Sequence, residues 1–219
     1  MRDPEPLPRL YLITDRHATP GARLVEAVER ALEGGVRLVQ LREKDLAVGE
    51  LRALASRLRD ATRAHDARLL LNAGDDPRRI EVAAAVGADG IHLTSTGGLS
   101  VADVRASLGA TALVGVSTHS LGEVERAARA GASFVTFGPV YETPSKRDMG
   151  EPTGVAQLAD AAALAAPMPV YGLGGIGLEA IDAVRASGAH GVGLIRAVLA
   201  AADPTEASRA IFTRLGASR

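Results

Sequence analysis

The chain has 219 residues, 47% of them hydrophobic and 23% charged, with a formal net charge of −1 and no cysteine. That length suits one hydrophobic core, and the composition is that of an ordinary globular chain rather than a disordered or fibrous one. The near-zero charge argues against a nucleic-acid surface, and the lack of cysteine excludes disulfides, thiolate metal sites and cysteine nucleophiles.

The first residues, MRDPEPLPRL, are charged and proline-rich where a secretion signal needs an apolar core, and no apolar run of ~20 residues follows. A cytoplasmic chain without membrane contact is expected, with one domain over 1–219 and a loose tail over 1–9. From there, short aliphatic runs alternate with amphipathic stretches at roughly 20- to 30-residue spacing, as βα units require. The strand candidates are LYLIT (10–14), VRLVQLR (36–42), RLLLN (68–72), DGIHL (89–93), LVGVS (113–117), SFVTFG (133–138), PVYGLG (169–174) and GVGLI (191–195). Helical candidates such as ARLVEAVERALEGG and LGEVERAARAGA carry apolar residues at i, i+3, i+4 and i+7 and end in glycine. EGGVRLVQL, AVGADGIHL, RAGASFVTF and ASGAHGVGL repeat one phrase in which a helix stops at glycine and a strand begins. Eight apolar strands with helices outside close most economically as a single-domain parallel (β/α)8 TIM barrel. The alternative is an open doubly wound sheet, but no G-x-G-x-x-G follows the first strand.

Active sites of such barrels form at the C-terminal ends of the strands. In VQLREKD, Gln40, Arg42 and Lys44 alternate and therefore share one face of an extended chain. Two cations beside an amide suit a phosphate or diphosphate. The competing reading is a solvated strand end with Glu43 and Asp45 as ion partners. The loop GPVYETPSKRDMGEPTG after the sixth strand is long and polar for a connector. Its Thr143, Ser145 and Lys146 offer hydroxyls and a cation for an anion or a lid, against the plainer reading of a surface loop. Gly174 and Gly175 after the seventh strand, and Ile195 and Arg196 after the eighth, occupy the usual barrel phosphate position; a tight turn is their other explanation.

Among the histidines, His119 lies just past the fifth strand, at the mouth, where a histidine suits an acid/base; it could equally sit at a helix start beside Ser117 and Ser120. His92 lies within the fourth strand and reads as structural. His190 precedes the eighth strand at the opposite end, and His17 and His65 read as surface residues.

With these residues placed, the chain resembles the thiamine phosphate synthase/TenI superfamily from LYLITDR to GVGLIRAV, through VQLREKD, GADGIHL, GVSTHS, FGPVYETPSK and GLGGI. The resemblance implies the barrel and a thiamine-pathway enzyme. In the synthases a pyrimidine methyl diphosphate loses its diphosphate and the thiazole nitrogen captures the resulting cation. Carried over, Gln40, Arg42, Lys44, Asn72 and Lys146 serve the pyrimidine diphosphate. Thr143, Ser145, the Gly174–Gly175 turn, Ile195 and Arg196 serve the thiazole phosphate.

Synthases of this type carry N-D after the third strand and H-L-G-Q-E-D after the fourth, with both aspartates on magnesium; this chain has Asn72-Ala73 and HLTSTGG. Asp75 or Asp76 of the GDDPR segment is the available substitute for the first, and nothing near Thr94 to Gly98 replaces the second. HLTS and FGPVYETPSK are similar to the TenI-type branch, whose reaction aromatises a thiazole carboxylate phosphate by moving a proton and needs no metal. The main expectation is therefore a cofactor-free thiazole tautomerase, with His119 and Lys146 catalytic. The alternative is a divergent thiamine phosphate synthase using Mg²⁺, and a second alternative is a non-catalytic barrel that binds thiamine precursors. The partners expected are small molecules: a thiazole phosphate, joined by a pyrimidine diphosphate under the synthase alternative. Barrels of this kind often self-associate, so a homo-oligomer is compatible with the sequence.

Overall fold

A computed structural model describes residues 6–19, 24–143 and 151–216. Its strands are β1 Leu10–Ile13, β2 Leu38–Leu41, β3 Arg68–Gly74, β4 Gly90–Thr94, β5 Leu113–Thr118, β6 Phe134–Phe137, β7 Val170–Leu173 and β8 Gly191–Leu194. They pair in parallel in sequence order, and β8 returns to β1 through Leu10 opposite Val192 and Leu12 opposite Leu194, which closes the barrel and rules out the open sheet. Each expected strand is present, within two residues at either end. Around it lie α1 Leu24–Glu33, α2 Val48–Ala64, α3 Arg78–Val86, α4 Val101–Leu108, α5 Leu121–Arg129, α6 Gly154–Ala165, α7 Ile181–Ala186, α8 Arg196–Leu199 and α9 Pro204–Leu215. Among the described residues, no helix is long and apolar enough to cross a membrane.

The repeated glycine phrase has a direct physical basis. Gly35, Gly87, Gly131 and Gly188 all adopt positive φ, which L side chains rarely tolerate. In three of the four copies the next N–H reaches five residues back, from Val36 to Ala31, Ala88 to Ala83 and Ala132 to Ala127, the bond that ends a helix in a Schellman turn. The strand then starts immediately, so helix stop and strand entry are one local event.

Strand residues are buried on both faces, as parallel sheets require. Outward residues such as Leu12, Val39 and Ile91 pack on the helices, whereas Tyr11, Ile13, Leu38, Leu70, Phe134 and Tyr171 fill the barrel interior. Residues 7–9 depart from the expected loose tail: Leu7 packs on the interior cluster, and the Leu7 and Pro8 carbonyls accept hydrogen bonds from His190 and Tyr171. With those carbonyls held by half-buried His190 and buried Tyr171, residues 7–9 lie fixed against the N-terminal mouth of the barrel.

Gly115 on β5 shows how tightly the interior is filled. A β-carbon there would lie 2.5 Å from His92 Nδ1 and 2.5 Å from Phe134 Cζ. Gly115→Ala is expected to destabilise the fold by about 1–3 kcal/mol through overpacking, read as a lower urea midpoint. A midpoint equal to that of the parent would show that His92 and Phe134 yield freely.

Candidate functional site

A cavity of about 1270 Å³ opens at the C-terminal ends of the strands. Gln40, Arg42, Lys44, Asn72, His119, Thr143, Gly174, Gly175, Ile195 and Arg196 all line it. Ser145 and Lys146, also expected here, lie outside the described residues.

The wall beyond β2 carries the two cations. Glu43 and Asp45 do not pair with them. Glu43 is buried and accepts hydrogen bonds from the Thr14 hydroxyl at 2.7 Å and from the Arg16 amide at 3.2 Å, while the Arg16 guanidinium grips both oxygens of Asp45. Both acids lean toward the β1 loop. Arg42 and Lys44 make no ion pair with any described residue. Burial lowers the Arg42 pKa from its ordinary value, and the neighbouring Arg42 charge, followed by partial burial, lowers that of Lys44. Two cations that repel each other at a cavity wall would each be relieved by an anion placed between them.

Arg79, at the start of α3, holds this wall in shape and gave no signal in the sequence. Its guanidinium is buried and donates to the carbonyls of Glu43 and Lys44 at 3.1 Å each and of Leu46 at 3.4 Å, tying α3 to the β2 loop.

At the ends of β3 and β4 the ladder slips between Asn72 and Gly74, and Gly74 takes positive φ. This bulge re-aims the chain so that the Asp75 carboxylate and the Thr94 hydroxyl both crowd the place a side chain on Gly97 would fill. Thr94 Oγ1 is buried without a hydrogen-bond partner. Asp76 is engaged instead by Arg78, through Nε at 2.9 Å and a terminal nitrogen at 2.8 Å, and those bonds hold its carboxyl below the usual range.

Beneath the cavity runs a buried polar chain. Gln40 Nε2 donates to the Tyr11 hydroxyl at 2.7 Å, that hydroxyl meets His92 Nδ1 at 3.2 Å, and His92 Nε2 meets Ser117 Oγ at 3.0 Å. His92, read from sequence as structural, thus points into the barrel and lines the cavity. Burial, with a smaller contribution from the Arg42 charge, pulls its pKa down to about 3. An unfolded chain, in which this group titrates near 6.5, binds more protons between those values, so stability is full above about pH 6.5 and declines as pH falls toward 3. His190, lowered chiefly by burial, adds in the same direction. Urea unfolding is expected to show a loss on the order of 2 kcal/mol at pH 5 from His92, with a shallower slope in His92→Gln. A flat profile from pH 7 to pH 5 would contradict it.

On the opposite side, His119 Nδ1 contacts the Gly138 carbonyl oxygen, which selects the Nδ1–H tautomer of the neutral ring. The helix cap belongs to Ser120, which accepts from the Glu123 amide, while the His119 amide donates to the Glu123 carboxylate at 2.6 Å. Gly174 and Gly175 both have positive φ, and β-carbons on them would strike Pro139 and Tyr141. Backbone bonds from Val140 to Leu173 and from Tyr141 to Gly174 fasten the loop after β6 to this turn. The glycines are thereby required by loop packing. Arg196 stands beyond them at the rim, exposed.

Residues 10–198 match the thiamine monophosphate synthase family. A Geobacter sulfurreducens protein provisionally named a thiamine-phosphate synthase is 48% identical over 206 residues, covering 94% of this chain and 93% of that protein. A Roseiflexus castenholzii thiamine-phosphate synthase is 37% identical over 215 residues, covering 96% and 91%. Among solved structures, a thiamine phosphate pyrophosphorylase from Pyrococcus furiosus superposes with a TM-score of 0.82 at 30% identity over 95% of each chain. With its barrel closed in the expected order and nearly its whole length matched, the chain belongs to the thiamine monophosphate synthase family.

Proposed function

We propose that this enzyme of thiamine biosynthesis is a thiamine-phosphate synthase, joining a pyrimidine methyl diphosphate to a thiazole phosphate with release of diphosphate. The preference for the tautomerase, drawn from the missing aspartates, is thereby reversed. The observation that carries this reading is the Arg42 and Lys44 pair, turned to the cavity with its acidic neighbours engaged elsewhere. A tautomerase has one phosphate to hold, and the Gly174–Gly175 turn with Arg196 across the cavity would serve it. A second, doubly cationic wall suits a second and more highly charged ligand. The names of the relatives lean the same way.

In this reading the bond between the pyrimidine methylene and the diphosphate oxygen breaks, and the diphosphate leaves with the electron pair. Arg42 and Lys44 stabilise the charge that develops on it. Gln40 and Asn72 hold the pyrimidine, and Lys146, outside the described residues, is assigned to the diphosphate by the family resemblance. Thr143, Ser145, Gly174, Gly175, Ile195 and Arg196 hold the thiazole phosphate so that the ring nitrogen faces the methylene carbon and its lone pair forms the new C–N bond. No proton has to move for that bond to form.

Magnesium fits as a shared ligand and not as a resident one. Among the described residues, no group of three or more His, Asp or Glu is arranged to hold a metal ion. Asp75 and the orphaned Thr94 hydroxyl would hold it together with diphosphate oxygens, consistent with the one or two carboxylates that Mg²⁺ commonly uses beside phosphates. When bound it would supply neutralisation of the leaving diphosphate.

Incubation with both substrates and Mg²⁺ should give thiamine phosphate and diphosphate in equal amounts by chromatography. Absence of thiamine phosphate sinks the proposal. One observation favours the tautomerase as a second reading: His119 lines the cavity with Nδ1 held on the Gly138 carbonyl, which leaves Nε2 of its neutral ring as the acceptor a proton from carbon would need.

A further inference from the structure

The cationic wall has an acidic neighbour on the β1 side. Strands β1 and β2 pair up to Ile13 and Gln40 and stay joined beyond them: the Thr14 amide donates to the Gln40 carbonyl at 2.9 Å, and the Arg42 amide donates to the Thr14 hydroxyl at 2.9 Å. Asp15 comes next, and it lines the same cavity as Arg42 and Lys44. Its loop is held in place. Both chain neighbours of Asp15 are bonded to the buried Glu43 carboxylate, Thr14 through its hydroxyl and Arg16 through its amide and guanidinium. The Asp15 carboxylate itself accepts from the His17 amide at 3.0 Å. It forms no ion pair with Arg42, yet the two charges sense each other: burial lowers the Arg42 pKa, and Asp15, ahead of Glu43, opposes that shift.

We propose that Asp15 is a specificity-determining residue: fixed beside Arg42 by the Glu43 latch, its carboxylate weakens the hold of the wall on metal-free diphosphate and so reserves the wall for the magnesium complex. The proposal rests on the reading that the β2 wall takes the diphosphate. A fixed carboxylate at the edge of an anion site repels each anion that enters in proportion to the charge it carries. Metal-free diphosphate brings its full charge, and a bound Mg²⁺ cancels part of it, so the repulsion falls mainly on the metal-free form. A site can discriminate by repelling the wrong ligand as well as by attracting the right one. The other acids that line the cavity stand elsewhere. Asp75 and Asp76 follow β3, with Asp76 engaged by Arg78, and Glu142 and Glu179 follow β6 and β7, across the mouth from β2.

Calorimetry with inorganic diphosphate, with and without Mg²⁺, tests this. Asp15→Asn is expected to bind metal-free diphosphate about fivefold more tightly than the parent, and the magnesium complex less than about twofold more tightly. Asp15→Ser, which keeps a side-chain acceptor for the His17 amide, should behave alike. Glu179→Gln removes the same charge from the far side of the cavity and should shift neither form by more than about 1.5-fold. Unchanged binding of the metal-free anion in Asp15→Asn overturns the proposal. Equal tightening of both forms, or the same gain in Glu179→Gln, would show a general field and overturn it too, and weaker binding of the magnesium complex would make Asp15 a metal ligand instead. Each of those results leaves the synthase reading to the thiamine phosphate assay. The selective gain without any thiamine phosphate from the two substrates would sink that reading and leave the role of Asp15 standing. If neither the wild type nor Asp15→Asn binds diphosphate, the proposal falls together with the ligand assigned to the wall.

Discussion

Arg42→Ala is expected to lower kcat/KM for the pyrimidine diphosphate about a hundredfold, because it deletes a charge-assisted contact to the leaving group and leaves Lys44 alone on that wall. The loss should divide between KM and kcat, since the charge on diphosphate rises as the bond breaks and the contact strengthens in the transition state. Arg42→Lys should recover only part of the rate, since a point charge lacks the planar fork that engages two oxygens. Affinity for the thiazole phosphate should hold within about twofold, because Arg196 and the Gly174–Gly175 turn lie on another part of the rim. A parallel loss for both substrates would mean that Arg42 supports the fold of the mouth rather than one ligand.

The second large effect concerns Asp75. With this carboxylate as the protein's one negative donor to magnesium, Asp75→Asn should raise the metal concentration required for half-maximal rate by at least about tenfold. Mn²⁺ binding followed by electron paramagnetic resonance gives an independent reading: wild type should take up the ion only when inorganic diphosphate is present, and Asp75→Asn should lose that uptake. Asp76→Asn is the contrasting variant, because Asp76 is engaged by Arg78 and faces a different duty. A greater effect at Asp76 than at Asp75 would place the metal elsewhere.

The barrel was legible because its information is local. In four of the units the helix stops at a glycine at positive φ and an aliphatic strand begins three residues on, so ASGAHGVGL marks both the end of α7 and the start of β8. Gln40, Arg42 and Lys44 do meet at the cavity, but strand periodicity accounts for Gln40 alone, because β2 ends at Leu41 and Lys44 lies in the turn that follows. What stayed hidden depends on residues far apart in sequence. Arg79 reads as one more helix-surface arginine until α3 packs on the β2 loop and buries it against three carbonyls. The choice between Asp75 and Asp76 turns on the bulge at Asn72 and Gly74, which no pattern in GDDPR announces. His92 was equally ambiguous, because inward and outward positions on a parallel strand are both apolar; only Tyr11, 81 residues away, and Ser117 give it a polar task. Leu7 to Arg9 looked like loose chain by composition, and their order comes from Tyr171 and His190, near the other end of the sequence. The expectation of a tautomerase came from counting aspartates in two short motifs and from the likeness of HLTS and FGPVYETPSK to the TenI-type branch, neither of which carried information about where Glu43 and Asp45 would turn.

One paired assay bears most directly on the central claim. The thiazole carboxylate phosphate tautomer is given to the protein alone and followed by ultraviolet absorbance, while the same preparation receives thiazole phosphate, pyrimidine methyl diphosphate and Mg²⁺ and is followed by chromatography. The account predicts thiamine phosphate in the second mixture, abolished by a chelator, and no acceleration of aromatisation in the first. Rapid aromatisation without any thiamine phosphate would contradict it and return the chemistry to His119.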